Sequence, residues 1–487
     1  MAKVFFLNPA FYGVKGFVRE QRWFARTRGR VSRAPDYALV AVAVLEKSRN
    51  KVMFLDCAST EMPFEDVKGK ALRFKPDMIV IPATTPSIYN DIKQASELKK
   101  TLGGKPLTIL IGSHVSALPE QTLKIDPGIN VIARGEYDYT LRDIAFSIDK
   151  NQGLEGVLGI TYRKGNYIRK NPDRPFIENL DELPFPAWHH IDPRKYFDAG
   201  KLYPFLTIIA GRGCPNYCSF CLLPQTLYGR KYRLRSAESI ADEIEHDLKM
   251  FPYLKEIMFE DDTLTANKER CREICEEIMR RGLHRKLSFS GNSRADIFDP
   301  ELFSLMKKAN FRMLVVGFEF GDQKVLNSVR KGETIENMKR FSKVAKKAGL
   351  RLHGCFMIGG PGETMESANK TIQLIKNLAC DTIQVSALIP YPGTEFYDYC
   401  QRNNLIKAKR WTEWVDGGEQ CTVIEYPGLT KEQIVNLVDK GLYESFYLRP
   451  NVWAHHIMTV RDLSDMKRKV KGFYNLLSYR FGAKGGK

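Results

Sequence analysis

No apolar run in the 487-residue chain approaches the roughly 18 residues that a membrane-spanning helix needs. Cysteine is sparse: ten residues fit a reducing compartment better than a disulfide framework. Met1 to Pro9 carry no signal-peptide cleavage pattern, so a cytoplasmic protein is expected. No Gly-x-Gly-x-x-Gly follows the first apolar stretch, which disfavours a nicotinamide or flavin dinucleotide. Negative charge is also in deficit, 57 acidic against 75 basic residues for a net charge of +18. That excess is spread along the chain, so a dedicated nucleic-acid arm is not expected, and an anionic membrane face or simple solubility remains open. An apolar fraction of 43% supplies a sizeable core, and the length suits two or three domains.

The cysteines that are present concentrate in Gly211-Arg212-Gly213-Cys214-Pro215-Asn216-Tyr217-Cys218-Ser219-Phe220-Cys221. Iron–sulfur cubanes are held by thiolates, normally four. Three ligands would leave one iron open, as chemistry rather than plain electron transfer requires. Phe205 to Ala210, apolar and β-branched, reads as a buried strand running into this loop. A structural zinc site would need a fourth nearby Cys or His, and the nearest histidines, His189 and His190, precede the strand. The spacing, with an aromatic before the third cysteine, resembles the signature of the radical S-adenosylmethionine (SAM) enzymes. The resemblance implies a [4Fe-4S] cluster on Cys214, Cys218 and Cys221, SAM chelating the open iron, and an external one-electron donor such as a flavodoxin or ferredoxin. One electron would then cleave SAM to a 5′-deoxyadenosyl radical.

Upstream, five short strands (Val4 to Leu7, Val52 to Leu55, Met78 to Ile81, Thr108 to Ile111, Val131 to Ala133) alternate with helical stretches near 37–47, 87–102, 119–124 and 139–148. This pattern over residues 1–150 predicts a doubly wound, Rossmann-like parallel sheet with helices on both faces, and ligands bind such sheets beyond the carboxyl ends of the strands. Those ends carry Asn8-Pro9, Asp56, Thr84 and Thr85, Gly112-Ser113-His114 and Arg134-Gly135-Glu136. Their order resembles the cobalamin-binding domain that precedes many radical SAM domains, which makes Thr84, Thr85, Gly112, Ser113, His114, Gly135 and Glu136 candidate cofactor contacts. The Asp-x-His-x-x-Gly cobalt-ligating motif is absent. By the resemblance cobalamin would therefore bind base-off, with His114 a loop or edge residue rather than a cobalt ligand. A degenerate sheet without ligand is the alternative. Between the first strand and first helix, Arg19, Arg22, Arg26, Arg28, Arg30 and Arg33 interleave with Phe17, Trp23 and Phe24. Two readings stand: a cover over the corrin or an anionic or aromatic substrate, and a solvated loop with aromatics tucked into the core.

Residues 151–199 read as a linker. It holds a small hairpin (Gly159 to Arg163, Tyr167 to Arg169) and a proline-broken stretch, Leu180 to Trp188. From 200 to 397 six β/α units predict a partial (β/α)6 barrel with chemistry at the carboxyl ends of its strands. After the cysteines these ends bear Glu260-Asp261-Asp262, Asn292-Ser293-Arg294, Glu319 and Gly359-Gly360-Pro361-Gly362-Glu363. The resemblance implies that the glycine stretch, including Gly359, Gly360 and Glu363, lies by the SAM adenine with Phe220 beside it. It implies further that Arg294 pairs with the SAM carboxylate and that Asp261, Asp262 and Glu319 accept from its ammonium or ribose. Cys271 and Cys275 share a helix face without further ligands, and Cys57, Cys355, Cys380, Cys400 and Cys421 read as small core residues, with a place facing the barrel interior the alternative for Cys355 in the fifth strand.

Residues 398–487 read as mainly helical. The segment Met466 to Phe481 joins five cations to Phe473, Tyr474, Leu476, Leu477, Tyr479 and Phe481. A helix at an anionic membrane interface and a capping helix with a solvated basic face both fit. Together the segments resemble a cobalamin-dependent radical SAM enzyme, expected to methylate an unactivated carbon of a small, lipid-like molecule. A cyclase or rearrangement enzyme is the alternative within the class. A tRNA-modifying methylthiotransferase would need a second cluster on N-terminal cysteines, where Cys57 stands alone.

Overall fold

Along the first strand, Lys3–Asn8, successive side chains point to opposite sides of a sheet. Val4 and Phe6 enter one core and Phe5 and Leu7 another. The computed structural model describes residues 1–14, 16–19, 24–416, 419–460 and 462–482. Arg22 and Trp23 of the arginine-rich segment lie outside the described residues, as do the side chains of Tyr479 and Phe481 in the tail.

The sheet runs in the order Lys51–Asp56, Lys3–Asn8, Met78–Pro82, Leu107–Ile111, Val131–Ala133, Ile160–Lys164, Tyr167–Lys170. Its first five strands are parallel. The chain order reverses between Lys3–Asn8 and Met78–Pro82, which makes the gap beyond Asn8 and Pro82 the switch-point crevice of a doubly wound fold. The hairpin expected in a linker instead extends this sheet, Val131–Ala133 pairing antiparallel with Ile160–Lys164. A helix at Phe64–Phe74 escapes the sequence reading because only Val67, Ala71 and Phe74 face the core. Helix Asp36–Lys47 is buried from Asp36 to Leu45. It is apolar all round, as a helix caught between two layers must be. One side meets the sheet, while on the other Asp36 accepts a hydrogen bond from Thr207 of the barrel (3.0 Å).

The barrel has six parallel strands, Phe205–Ile208, Glu256–Phe259, Ser288–Ser293, Phe311–Glu319, Arg351–Ile358 and Thr382–Ala387, open between first and last. An open sheet edge exposes unpaired backbone groups. Here Tyr447 covers part of it, its hydroxyl donating to Ile383 O (3.0 Å) and accepting from Ile383 N (3.2 Å). The C-terminal segments close the gap: Lys431–Asp439 continues as a π-helix, Lys440–Tyr447, followed by Pro450–Met458 and Leu463–Gly482. Tail residues reach the lateral opening, where Arg468 donates to Ala199 O and Asn475 to Gly29 O (3.2 Å).

The described part of the arginine-rich segment tucks Phe17 and Phe24 into the core and places Thr27, Arg28 and Arg33 on the wall of the cavity inside the barrel. Phe17–Arg19 and Phe24–Arg26 form a hairpin that joins a small sheet with Val415–Asp416 and Glu419–Gln420. Arg19 is fully buried in the switch-point crevice. It donates to Asn8 Oδ1 (3.3 Å), Pro82 O (2.8 Å), Ser87 Oγ (2.9 Å) and Asp91 Oδ2 (2.8 Å).

Candidate active site

The cysteine loop leaves the first barrel strand through Gly211–Arg212, paired antiparallel with Arg233–Leu234. Gly213 has φ +87°, and a Cβ there would meet Lys231 O at 2.3 Å, so only glycine fits. Gln225 clamps the loop by donating to Ser219 O (3.1 Å) and Cys221 O (2.7 Å). The turn after the sixth strand contributes Phe396 N, which donates to Ser219 O (3.0 Å). So held, Cys214, Cys218 and Cys221 line one cavity of about 870 Å³ that runs down the barrel interior and out beneath the C-terminal helices. Two N–H donors address the sulfurs: Asn216 Nδ2 at 3.3 Å from Cys214 Sγ and Arg294 Nη1 at 3.8 Å from Cys218 Sγ. Burial pushes the Cys218 thiol up, opposed by Lys331 and Arg294. Three convergent thiols with nitrogen donors on their sulfurs fit an iron–sulfur cluster.

Beside Cys218 lies a ring of buried charge. Lys331 Nζ is 3.1 Å from Glu319 and 3.7 Å from Glu333, and Arg294 Nη2 is 3.3 Å from Glu333 and 2.8 Å from Asp296. Glu319 sits at φ +62°, unusual for a residue with a side chain. Its carboxylate folds over Gly317, where a Cβ would meet Oε1 at 2.3 Å. Glu319 Oε2 is buried with no hydrogen-bond partner among the described residues. Desolvation pushes Glu333 up to about 7 despite Lys331 and Arg294. Both signs of charge around one corner of the cavity suit the ammonium and carboxylate of an amino-acid group. The sequence reading found Arg294 and Glu319 but missed Lys331 and Glu333. They follow a short helix, Gln323–Ser328, and only Gly332 between them, at φ +72°, marks the turn.

Other expected contacts fall differently. Phe220 and Asp262 line the cavity together with Glu260. Asp261 does not: it is fully buried, accepting from Ala210 N (3.1 Å) and Tyr232 Oη (3.0 Å), and so braces the first strand. Glu363 turns back to accept from Gly359 N and from Gly360 N (3.1 Å), fixing the glycine turn rather than facing the cavity. Gly360 is small because a Cβ would meet Val325 Cγ1 at 2.5 Å. Cys355 does face the barrel interior, whereas Cys271 and Cys275 are buried on the helix Lys268–Arg280.

At the carboxyl end of the first sheet, Thr84 shares a hydrogen bond with Ser87 (2.6 Å) and Thr85 one with His114 Nδ1 (3.1 Å). His114 is a core residue, not a loop or edge one: 2% exposed, with its ring against Trp411 at 5.0 Å. Desolvation holds it neutral, its pKa lowered to about 3. Glu136 is corrected most. Its oxygens accept from Arg212 (2.8 Å), Arg233 (2.8 Å) and Ile177 N (2.8 Å), while Arg212 also pairs with Asp138 (2.7 Å). This buried network ties the first domain to the strand that leads into Cys214. Removing one partner of a buried network costs about 3–5 kcal/mol. Glu136→Ala is therefore expected to lower unfolding stability by that order in denaturant titration, and a stable variant lacking only cobalamin would restore the cofactor-contact reading. Two buried atoms at this end, Ser113 Oγ and Gln94 Oε1, have no hydrogen-bond partner among the described residues. Gly112 (φ +114°) and Gly135 (φ +64°) complete a surface that fits a ligand rich in amide groups, as a corrin is.

The fold and the three-thiol cavity define a barrel enzyme with a nucleotide-type sheet ahead of it. Residues 208–375 match the radical SAM superfamily and residues 31–145 the B12 binding domain. An uncharacterized methyltransferase of Pyrococcus horikoshii is 32% identical over 90% of this chain and 93% of its own length. The chain belongs to the radical SAM superfamily, among members with an N-terminal B12 binding domain. An anaerobic magnesium-protoporphyrin IX monomethyl ester cyclase of Rubrivivax gelatinosus is 28% identical over 71% of this chain and 62% of its own. The radical SAM methyltransferase TsrM from Kitasatospora setae, solved with cobalamin and a [4Fe-4S] cluster, superposes with TM-score 0.70 at 15% identity, covering 99% of this chain and 100% of that one.

Proposed function

We propose that this chain is a cobalamin-dependent radical SAM C-methyltransferase acting on an unactivated carbon of an amphiphilic, largely apolar molecule. The observation that carries the substrate class is the cavity itself. Below the cysteines it is walled by Met258, Met313, Val315, Met357, Val385 and Leu388, and it continues to Trp453, Val470 and Phe473 of the C-terminal helices. When bound, the cluster supplies the electron that cleaves SAM, and cobalamin supplies the methyl group. The chain's own residues divide the remaining work. Arg294, Lys331 and Glu319 orient the amino-acid end of SAM, the turn at Gly359 to Glu363 shapes the adenine side, and the apolar strand faces hold the substrate and exclude water. The match to a magnesium-porphyrin ester cyclase favours, as a second reading, cyclisation in the same cavity. Against the methylthiotransferase alternative, Cys57 is buried in the first domain's core.

No helix among the described residues is long and apolar enough to cross a membrane. We propose instead that the last two helices rest on an anionic bilayer. Ile457, Met458, Leu463, Val470 and Tyr474 are 69%, 76%, 72%, 63% and 68% exposed around the cavity's outer end. Lys467 and Lys471 are exposed on the same segment, and each basic residue contributes about 1 kcal/mol near an anionic surface. The reconstituted protein should sediment with phosphatidylserine-containing vesicles at low salt and methylate a component extracted from membranes, detected as a gain of one methyl mass. Indifference to such vesicles would remove the membrane reading, and formation of a ring without mass gain would favour the cyclase reading.

A further inference from the structure

Lys201 occupies an unusual place. Its side chain enters the barrel from the amino-terminal side, is 2% exposed and lines the active-site cavity. Among the described residues its ammonium donates hydrogen bonds to Met258 Sδ (3.0 Å) and Ser290 Oγ (3.3 Å). Among the described residues no carboxylate lies within 4 Å of it. The nearby acids are committed elsewhere. Glu256 is paired with Arg312 (2.7 Å) and accepts from Ser290 Oγ (2.5 Å) and Leu202 N (2.6 Å). Asp198 is paired with Arg33 (3.1 Å) and accepts from Gly200 N (2.8 Å). Burial works against the charged form, lowering the Lys201 pKa, and Asp198 and Glu256 only partly offset this. Nearby, His353 bonds Thr382 Oγ1 through Nδ1 (2.8 Å) and is held neutral, its pKa lowered to about 4 by burial.

A buried ammonium without a paired anion is costly, and an oxyanion from a ligand would relieve that cost while gaining a charge-assisted hydrogen bond. The wall near it carries Arg33, Asp198, His353 and Thr382 beside Met258, and the cavity turns apolar further along at Val315, Met357, Val385 and Leu388, so the ligand that suits it carries a polar, anionic end remote from a hydrocarbon portion. We infer that Lys201 is the anchor for an anionic head group of the substrate, a carboxylate or a phosphate, placed at the floor of the cavity. The inference rests on the apolar-cavity reading of the proposed function and adds the sign and place of the polar end. An anchor there directs the hydrocarbon part up the barrel toward the cysteines, where an unactivated carbon would react.

The test uses the full chain and two fluorescent probes, dansylaminoundecanoic acid and its methyl ester, with Kd from fluorescence titration. The wild type should bind the acid about tenfold or more tighter than the ester, the worth of one charge-assisted hydrogen bond. In Lys201→Met the acid should fall to the affinity of the ester, with ester binding unchanged, while Lys201→Arg should keep the preference. Unchanged ester binding also certifies that the methionine variant is folded. Because Lys201 is almost inaccessible from outside, an effect of its substitution reports from within the cavity. Equal binding of acid and ester by the wild type, or a preference that survives Lys201→Met, overturns the anchor alone. Failure of both probes to bind overturns the apolar-cavity reading and the anchor with it.

Discussion

Replacing any one of Cys214, Cys218 or Cys221 by alanine is expected to abolish 5′-deoxyadenosine formation from SAM and the broad iron–sulfur absorbance together. The three thiols line the same cavity wall. Their loop is pinned by Gln225, by Ser219 N donating to Val329 O (2.9 Å) and by Phe396, so no neighbouring thiol can take a missing ligand's place without dismantling it. Cys355, further down the cavity, is held as a thiol by burial, its pKa pushed up to about 12. Reconstitution under anaerobic conditions followed by chromatography of SAM products measures the effect. A variant that still releases 5′-deoxyadenosine would show that the loop is not the cluster's seat.

The second large effect is expected at Lys331. Its side chain is 6% exposed and faces Glu319 and Glu333. Lys331→Met leaves two buried carboxylates with only Arg294 to offset them, a loss of about 3–5 kcal/mol. The pH dependence has a definite sign. Glu333 has a folded pKa raised from 4.5 to about 7, so whatever stability its protonated form contributes is full below 4.5 and lost as pH rises through 7. Without Lys331 the raised pKa moves higher still. The deficit in melting temperature against wild type should therefore widen as pH rises from about 7 upward, where Glu333 is ionised in the wild type and still protonated in the variant. A deficit constant across that window would mean that Lys331 acts by packing alone. SAM affinity should also fall about tenfold or more, since one charge-assisted contact is removed.

Much of this architecture was legible because periodicity and punctuation agree. The five strands from Val4 to Ala133 and the helix Ala237–Met250 carry strong local patterns, and the Cys214-x3-Cys218-x2-Cys221 spacing has few physical meanings. Side-chain destinations were not legible. Glu136, Asp261 and Glu363 all stand at strand ends, where a ligand contact and an internal brace look alike in sequence. Which it is depends on whether Arg212, Tyr232 or a glycine turn arrives from elsewhere in the chain. Arg19 illustrates the same limit: an arginine among arginines in sequence, it enters the switch-point crevice, because Asn8, Pro82, Ser87 and Asp91 converge there. Lys331 and Glu333 lie in a turn with no period to mark them. The hairpin Ile160–Lys164 and Tyr167–Lys170 was visible as a hairpin, but strand edges carry no sequence label for the sheet they will join.

The three-thiol cavity is expected to hold an iron–sulfur centre with an open iron and SAM, and the carboxyl end of the first sheet to hold cobalamin. Mössbauer and electron paramagnetic resonance spectra of the anaerobically reconstituted protein, with and without SAM, test it most directly. One four-iron cluster per chain is expected, with one iron site altered by SAM, and base-off cobalamin whose spectrum survives His114→Ala. A cluster indifferent to SAM, a base-on cobalamin spectrum, or loss of cobalamin in His114→Ala would contradict it.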